Sequence, residues 1–74
     1  MPNLKWGDGV RVKAGAPPTM RPGAFAEICA ITEIENGAQA KHYDVRVGST
    51  VYLIEFGDGT SLEIPDAWIE AVPA

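Results

Sequence analysis

Cysteine and histidine are nearly absent from this sequence, and with them go most routes to a metal or nucleophilic site. Cys29 is the sole cysteine and His42 the sole histidine. One thiol cannot close an intramolecular disulfide, and no second cysteine stands at a zinc-site spacing, so neither a metal nor a cofactor is expected. Cys29 is expected as a small buried hydrophobe. His42 is expected to be an exposed bystander; a Cys29-His42 pair has no supporting motif around it. No apolar run approaches the roughly 20 residues of a bilayer span, and the start MPNLKWGDGV lacks the basic and apolar stretches of a signal peptide. A cytoplasmic chain with no membrane contact is the default expectation.

Positive charge is also scarce: six Lys and Arg stand against ten Asp and Glu, a net charge of −4. The split is uneven. Residues 1–23 hold Lys5, Arg11, Lys13 and Arg21 against Asp8, four cations to one acid, net +3. Residues 24–74 hold Lys41 and Arg46 against nine acids, net −7, a field that repels a phosphate backbone over most of the surface. Broad nucleic-acid binding is therefore not expected. A weak nucleic-acid binder using Lys5, Arg11, Lys13 and Arg21 is the version of that idea the charge pattern leaves open.

The 74 residues, 46% apolar and 22% charged, have an ordinary globular balance and form one domain, 1–74. A chain this short buries only about 60% of its unfolded surface, which leaves room for one thin core. No long stripe of helical period is present, and short strand-like runs alternate with Gly, Pro and Asn signals. VRVK at 10–13 opens a nearly all-β chain. Residues 14–23 form a long ordered loop stiffened by Pro17, Pro18 and Pro22. AFAEICAITEI at 24–34 reads as one bent strand, with Ala26, Ile28, Ala30 and Ile34 on one face and Phe25, Cys29 and Ile31 on the other. Asn36-Gly37 is a turn signal, after which HYDVRV and TVYLIEF flank a two-residue Gly48-Ser49 loop that sets Val45 opposite Tyr52 and Tyr43 opposite Ile54.

Gly-Asp-Gly occurs twice, at 7–9 and 57–59. Register decides what the second copy is. A two-residue loop mixes Glu55 and Glu63 into both faces, whereas a three-residue loop pairs Ile54 with Leu62 and Tyr52 with Ile64. Tyr52, Ile54, Phe56, Leu62 and Ile64 then share one apolar face, and Gly59 takes the positive φ of the bulge residue. A calcium loop needs more oxygen ligands than this stretch carries, and a dinucleotide loop needs a third glycine and a helix. The first copy is expected to be a turn into the first strand, stabilised by Asp8. The carboxylate pair Glu55 and Glu63 falls on the solvent face, and no nucleophile, base and orienting group come together, so no catalytic residue is assigned.

At the C-terminal end Pro65 stops a strand, Asp66-Ala67-Trp68 fits one 3₁₀ turn, and IEAV closes the sheet. GDGVRVKAGAPPTMRPGAFAEICAI, VYLIEFGDG and IPDAWIEAV resemble the G-D-x-V-x-V, V-Y-x-V-x-F and W-x-x-x-L-E elements of small bacterial SH3-like proteins of unknown function, over nearly the whole chain. They are also similar to the barrel domain of nitrile hydratase β subunits, and in size and character the chain resembles orphan proteins of mobile gene cassettes. The resemblance implies an all-β fold, a small SH3-like barrel of five to six antiparallel strands with one 3₁₀ turn near Pro65-Trp68. In nitrile hydratases the metal and its cysteines sit on the other subunit, so the resemblance carries no catalytic residue to this chain. Ala26 replaces a glycine frequent in related barrels, and residues 41–49 look like an added arm.

The function these readings imply is a non-catalytic module that binds a protein partner or a second copy of itself as a homo-oligomer. Phe25 and Ile31 face away from Ile28, and Val51 and Leu53 away from Tyr52 and Ile54, so these four form the candidate interface. Trp6, Tyr43 and Trp68, with Arg21 from the basic segment, are the candidate partner contacts. An accessory subunit of an enzyme resembling nitrile hydratase is the alternative.

Overall fold

The β3–β4 hairpin shows how loop length sets this fold. In the computed structural model, which describes residues 4–73, β3 (Thr50–Phe56) and β4 (Ser61–Pro65) pair Tyr52 with Ile64 and Ile54 with Leu62. The Phe56 amide donates to the Thr60 carbonyl at 2.8 Å, and Gly59 sits at φ +85°, as the three-residue loop requires. Tyr52, Ile54, Phe56 and Ile64 are buried together with Leu62 packed against them, while Glu55, Ser61 and Glu63 reach solvent.

Three further strands complete one antiparallel sheet: β1 (Gly9–Val12), β2 (Phe25–Glu33) and β5 (Ile69–Ala71), in the order β4-β3-β2-β1-β5. Among the described residues no strand pairing joins β4 to β5, so the sheet is open at both edges. A 3₁₀ turn at Asp66–Trp68 links these edge strands, and a second at Pro18–Met20 lies in the connection from β1 to β2. Val10 and Val12, Ile28, Ile54, Ile64 and Ile69 bring all five strands into one core, with Ala16 from the proline-rich connection. Burying each of the larger side chains stabilises the fold by about 1.5–3 kcal/mol.

β2 departs from simple alternation. Ile28 pairs with Ile54, but the next partner pair is Ala30 with Leu53, so Cys29 is an extra residue in a β-bulge. The bulge reverses the parity of everything after it. Ala30 and Thr32 stand opposite Leu53 and Val51, and Ile31 stands opposite Tyr52 on the core side. Cys29 is exposed rather than buried, Ala30 leaves the face of Ile28, and Ile31 joins it, each for this one reason.

Residues 42–47 do not form the expected strand. Gly37–Tyr43 is a short helix, α1, and Asn36-Gly37 is its start rather than a β-turn. Asn36 Oδ1 accepts from the Gln39 amide at 3.0 Å, and Gln39 Oε1 accepts from the Glu35 amide at 2.7 Å, a reciprocal cap that satisfies one first-turn donor and the amide of the residue before the cap. Asp44, at φ +54°, ends it. Tyr52 and Ile54 are thus flanked by β2 and β4, with no place for Tyr43 or Val45 beside them. The connection is closed at its neck, where Ile34 and Gly48–Ser49 exchange backbone hydrogen bonds of 2.8 and 2.9 Å. Residues 41–49 therefore form neither a barrel strand nor a hairpin arm.

Candidate functional site

Both Gly-Asp-Gly loops open onto the same surface. The three-residue loop at 57–59 continues β3, the turn at Trp6-Gly7 leads into β1, and β2 lies between those strands. On the outward side of the sheet Gly9 stands opposite Glu27, and Glu27 opposite Glu55. The result is a cleft of about 450 Å³ whose walls include Gly7, Gly9, Gly57 and Gly59, with Phe25, Glu27 and Glu55 projecting beside it. A Cβ added at Gly7, Gly57 or Gly59 would meet nothing within 4 Å, and at Gly9 only the side chain of Val72 at 4.0 Å. The trough exists because these positions carry no side chains.

Phe25 marks the rim. It is 64% exposed on the outward face of β2, opposite Arg11, whose guanidinium carbon lies 6.0 Å from the ring centroid and whose Nη1 is 3.2 Å from Glu70 Oε1. Beyond Phe25 a second cleft of about 480 Å³ is bounded by Arg11, Glu70, Val72 and Pro73. An aromatic ring exposed at a strand end loses the burial that ordinarily stabilises it.

The charges around the cleft are uneven. Arg21 is committed to structure: its Nη1 donates to Thr60 Oγ1 at 2.8 Å, approaches Asp58 Oδ2 at 3.4 Å, and its guanidinium lies 4.1 Å from the Phe56 ring centroid. Asp58 in turn accepts from the Thr60 hydroxyl and amide at 2.6 and 3.0 Å. Those two bonds, with Arg21 assisting, hold its carboxyl down to about 2. Glu27 and Glu55, by contrast, face each other with no ion pair among the described residues, where like charges directly opposite are destabilising.

The residues singled out from the sequence do not gather into one patch. Phe25 lies at the cleft, while exposed Ile31 belongs to the core side at the far end of β2. Val51 is 1% exposed and so offers nothing to a partner; Leu53, half-buried, shares its face. Tyr43 extends to the same face. Its phenol is raised from the ordinary value by a hydrogen bond to Glu63, the residue opposite Leu53, and then by desolvation and the charge of that carboxylate. Trp68 is half-buried against the core, and Trp6 is 76% exposed on the turn before β1. Arg21 ties the proline-rich connection to the hairpin. Lys5 and Lys13 are exposed near the ends of β1, and Arg11 is paired with Glu70.

Sequence reasoning pairs Glu55 with Glu63 and does not single out Glu27. The signal for the Glu27–Glu55 pair is the β2–β3 register, which places the two glutamates side by side only when counted back from Ile28 opposite Ile54.

Among the described residues no group of three or more His, Cys, Asp or Glu side chains is placed to hold a metal ion. Cys29 Sγ lies 3.8 Å from the Glu27 carbonyl oxygen, and the His42 ring meets Tyr43 edge-on at 4.7 Å. Among the described residues no helix is long and apolar enough to cross a membrane. Compared with known proteins, the chain matches no family model, no curated protein and no solved structure.

Proposed function

We propose that this chain is a non-catalytic protein-binding module, built on an SH3-like small barrel, whose contact surface is the outward face of β1, β2 and β3 around Phe25. The barrel reading is supported by the strand order β4-β3-β2-β1-β5, the long connection between β1 and β2, the 3₁₀ turn between β4 and β5, and a core to which all five strands contribute. The observation that carries the binding reading is Phe25 itself, a largely exposed aromatic at the start of the central strand β2 with a cleft on either side. Large aromatic side chains flanked by concave apolar surface are the usual anchors of protein contacts.

The test is selection from a random peptide display library on the immobilised chain, in parallel with Phe25→Asp. Sequences enriched on the native chain and lost on the variant, with unfolding midpoints of the two alike, are the expected result. Enrichment that Phe25→Asp leaves unchanged would remove this face from the proposal.

A further inference from the structure

We infer that the occupant of the cleft between the Gly-Asp-Gly loops is a basic segment of a partner protein, placing a lysine or arginine side chain between Glu27 and Glu55 and an apolar neighbour against Phe25. This inference rests on the binding reading above and adds the chemistry of the partner. Its first support is the arrangement of charge. Glu27 and Glu55 are directly opposed across β2 and β3, both exposed, both beside the trough, and neither ion-paired among the described residues. The two arginines nearest this face are already engaged with Glu70 and Asp58. A cross-strand pair of carboxylates weakens the sheet, and an inserted guanidinium or ammonium group converts that repulsion into two charge-assisted contacts.

The second support is shape. Gly9 does not need to be glycine for its backbone, since its φ is not among the positive ones, and its missing side chain is what keeps the trough open next to Glu27. The third is the long-range field: the chain carries net −4, which speeds encounter with a cationic partner and slows it with an anionic one. A second copy of this chain fits poorly, because docking the same face across a two-fold axis sets Glu27 and Glu55 against their own counterparts.

The experiment uses the full chain labelled with nitrogen-15 and three short peptides, Leu-Arg-Leu-Arg-Leu, Leu-Ser-Leu-Ser-Leu and Leu-Glu-Leu-Glu-Leu, titrated at low and high ionic strength. The glycine amides of the two loops give resolved reporters of the cleft. The arginine peptide is expected to shift the amides of Gly9, Glu27, Glu55 and Gly57 with an affinity that falls as salt rises. The double variant Glu27→Gln with Glu55→Gln is expected to lose about tenfold in affinity while its unfolding midpoint stays level or rises. Gly9→Val, which suits a strand and meets only Val72, is expected to keep the fold and block binding.

Equal binding of the serine and arginine peptides, dependent on Phe25, would overturn the basic partner and leave the binding module standing. Shifts confined to other acidic positions, such as Glu33 and Glu35, would overturn the site. Failure of all three peptides, together with no enrichment from the library on the native chain, would overturn both readings.

Discussion

Trp6-Gly7-Asp8-Gly9 and Phe56-Gly57-Asp58-Gly59 share a tripeptide and an aromatic residue before it, yet the two loops are built in opposite senses. In the first, the leading glycine takes the positive φ, +88° at Gly7, and Asp8 reaches back so that Oδ2 accepts from the Lys5 amide at 2.8 Å. In the second, the trailing glycine takes it, +85° at Gly59, and Asp58 reaches forward to Thr60. Trp6 lies open to solvent, whereas Phe56 is buried under the guanidinium of Arg21. The difference comes from what each loop joins. Residues 57–59 must return the chain in register against its own neighbour, while residues 6–8 only aim the chain into β1. A short motif acquires its geometry from the strands it serves.

The aromatic residues separate the loops most sharply. Phe56→Ala should cost about 3–5 kcal/mol, as truncation of a buried phenylalanine does, and Trp6→Ala should stay within about 0.5 kcal/mol, both read from urea unfolding. Equal losses would mean that Trp6 packs in solution. The glycines come next. Gly59→Val and Gly7→Val should each cost about 1–2 kcal/mol, because a β-branched residue is forced to positive φ. Gly57→Ala and Gly9→Ala, at positions without that constraint, should be neutral or stabilising by about 0.4–1 kcal/mol. A reversed order within either loop would contradict the assignment of its strained position.

Acid titration sharpens the contrast between the two aspartates. The folded Asp58 carboxyl is held down to about 2, below the unfolded value near 3.9, so its contribution is complete above the unfolded value and is lost as pH falls toward 2. Asp58→Asn should flatten that part of the acid limb when unfolding midpoints are followed from neutral pH downward. An unchanged limb would mean that the Thr60 and Arg21 contacts do not persist in solution. The smallest effect belongs to the cleft between the loops. Glu27→Lys places a cation opposite Glu55 and should raise stability by about 0.2–1 kcal/mol in thermal unfolding. A loss would show that the two carboxylates are already neutralised by something else.

The hairpin around Gly57-Asp58-Gly59 was legible from residues because only one loop length segregates Tyr52, Ile54, Phe56, Leu62 and Ile64 from Glu55 and Glu63. The 3₁₀ turn at Asp66–Trp68 and the last strand followed from Pro65 for a similar local reason. Helix α1 is equally local, yet Asn36-Gly37 reads as a turn and HYDVRV as a strand. Its signal was Asn36 followed three residues later by Gln39, with alanines between and after, and a seven-residue helix shows too little periodicity to compete with the valines of HYDVRV. The bulge at Cys29 left no such mark. Alternation read straight through it puts Ala30 and Ile31 on the wrong faces.

The sequence by itself determined where the Gly57-Asp58-Gly59 hairpin and the Asp66–Trp68 turn lie, which residues of β3 and β4 form the inner face, and that the C-terminal portion is acidic. Those features depend on neighbours a few residues apart, whose geometry is limited by loop length, glycine and proline. Only the tertiary structure decided that Val51 is buried, that Arg21 binds the hairpin, and that Glu27 and Glu55 stand together between two glycine-rich loops. The reason is that β2 and β3 meet across the whole connection 34–49, and a single extra residue at Cys29 resets which side chains share a face. No property of either strand taken alone carries that offset.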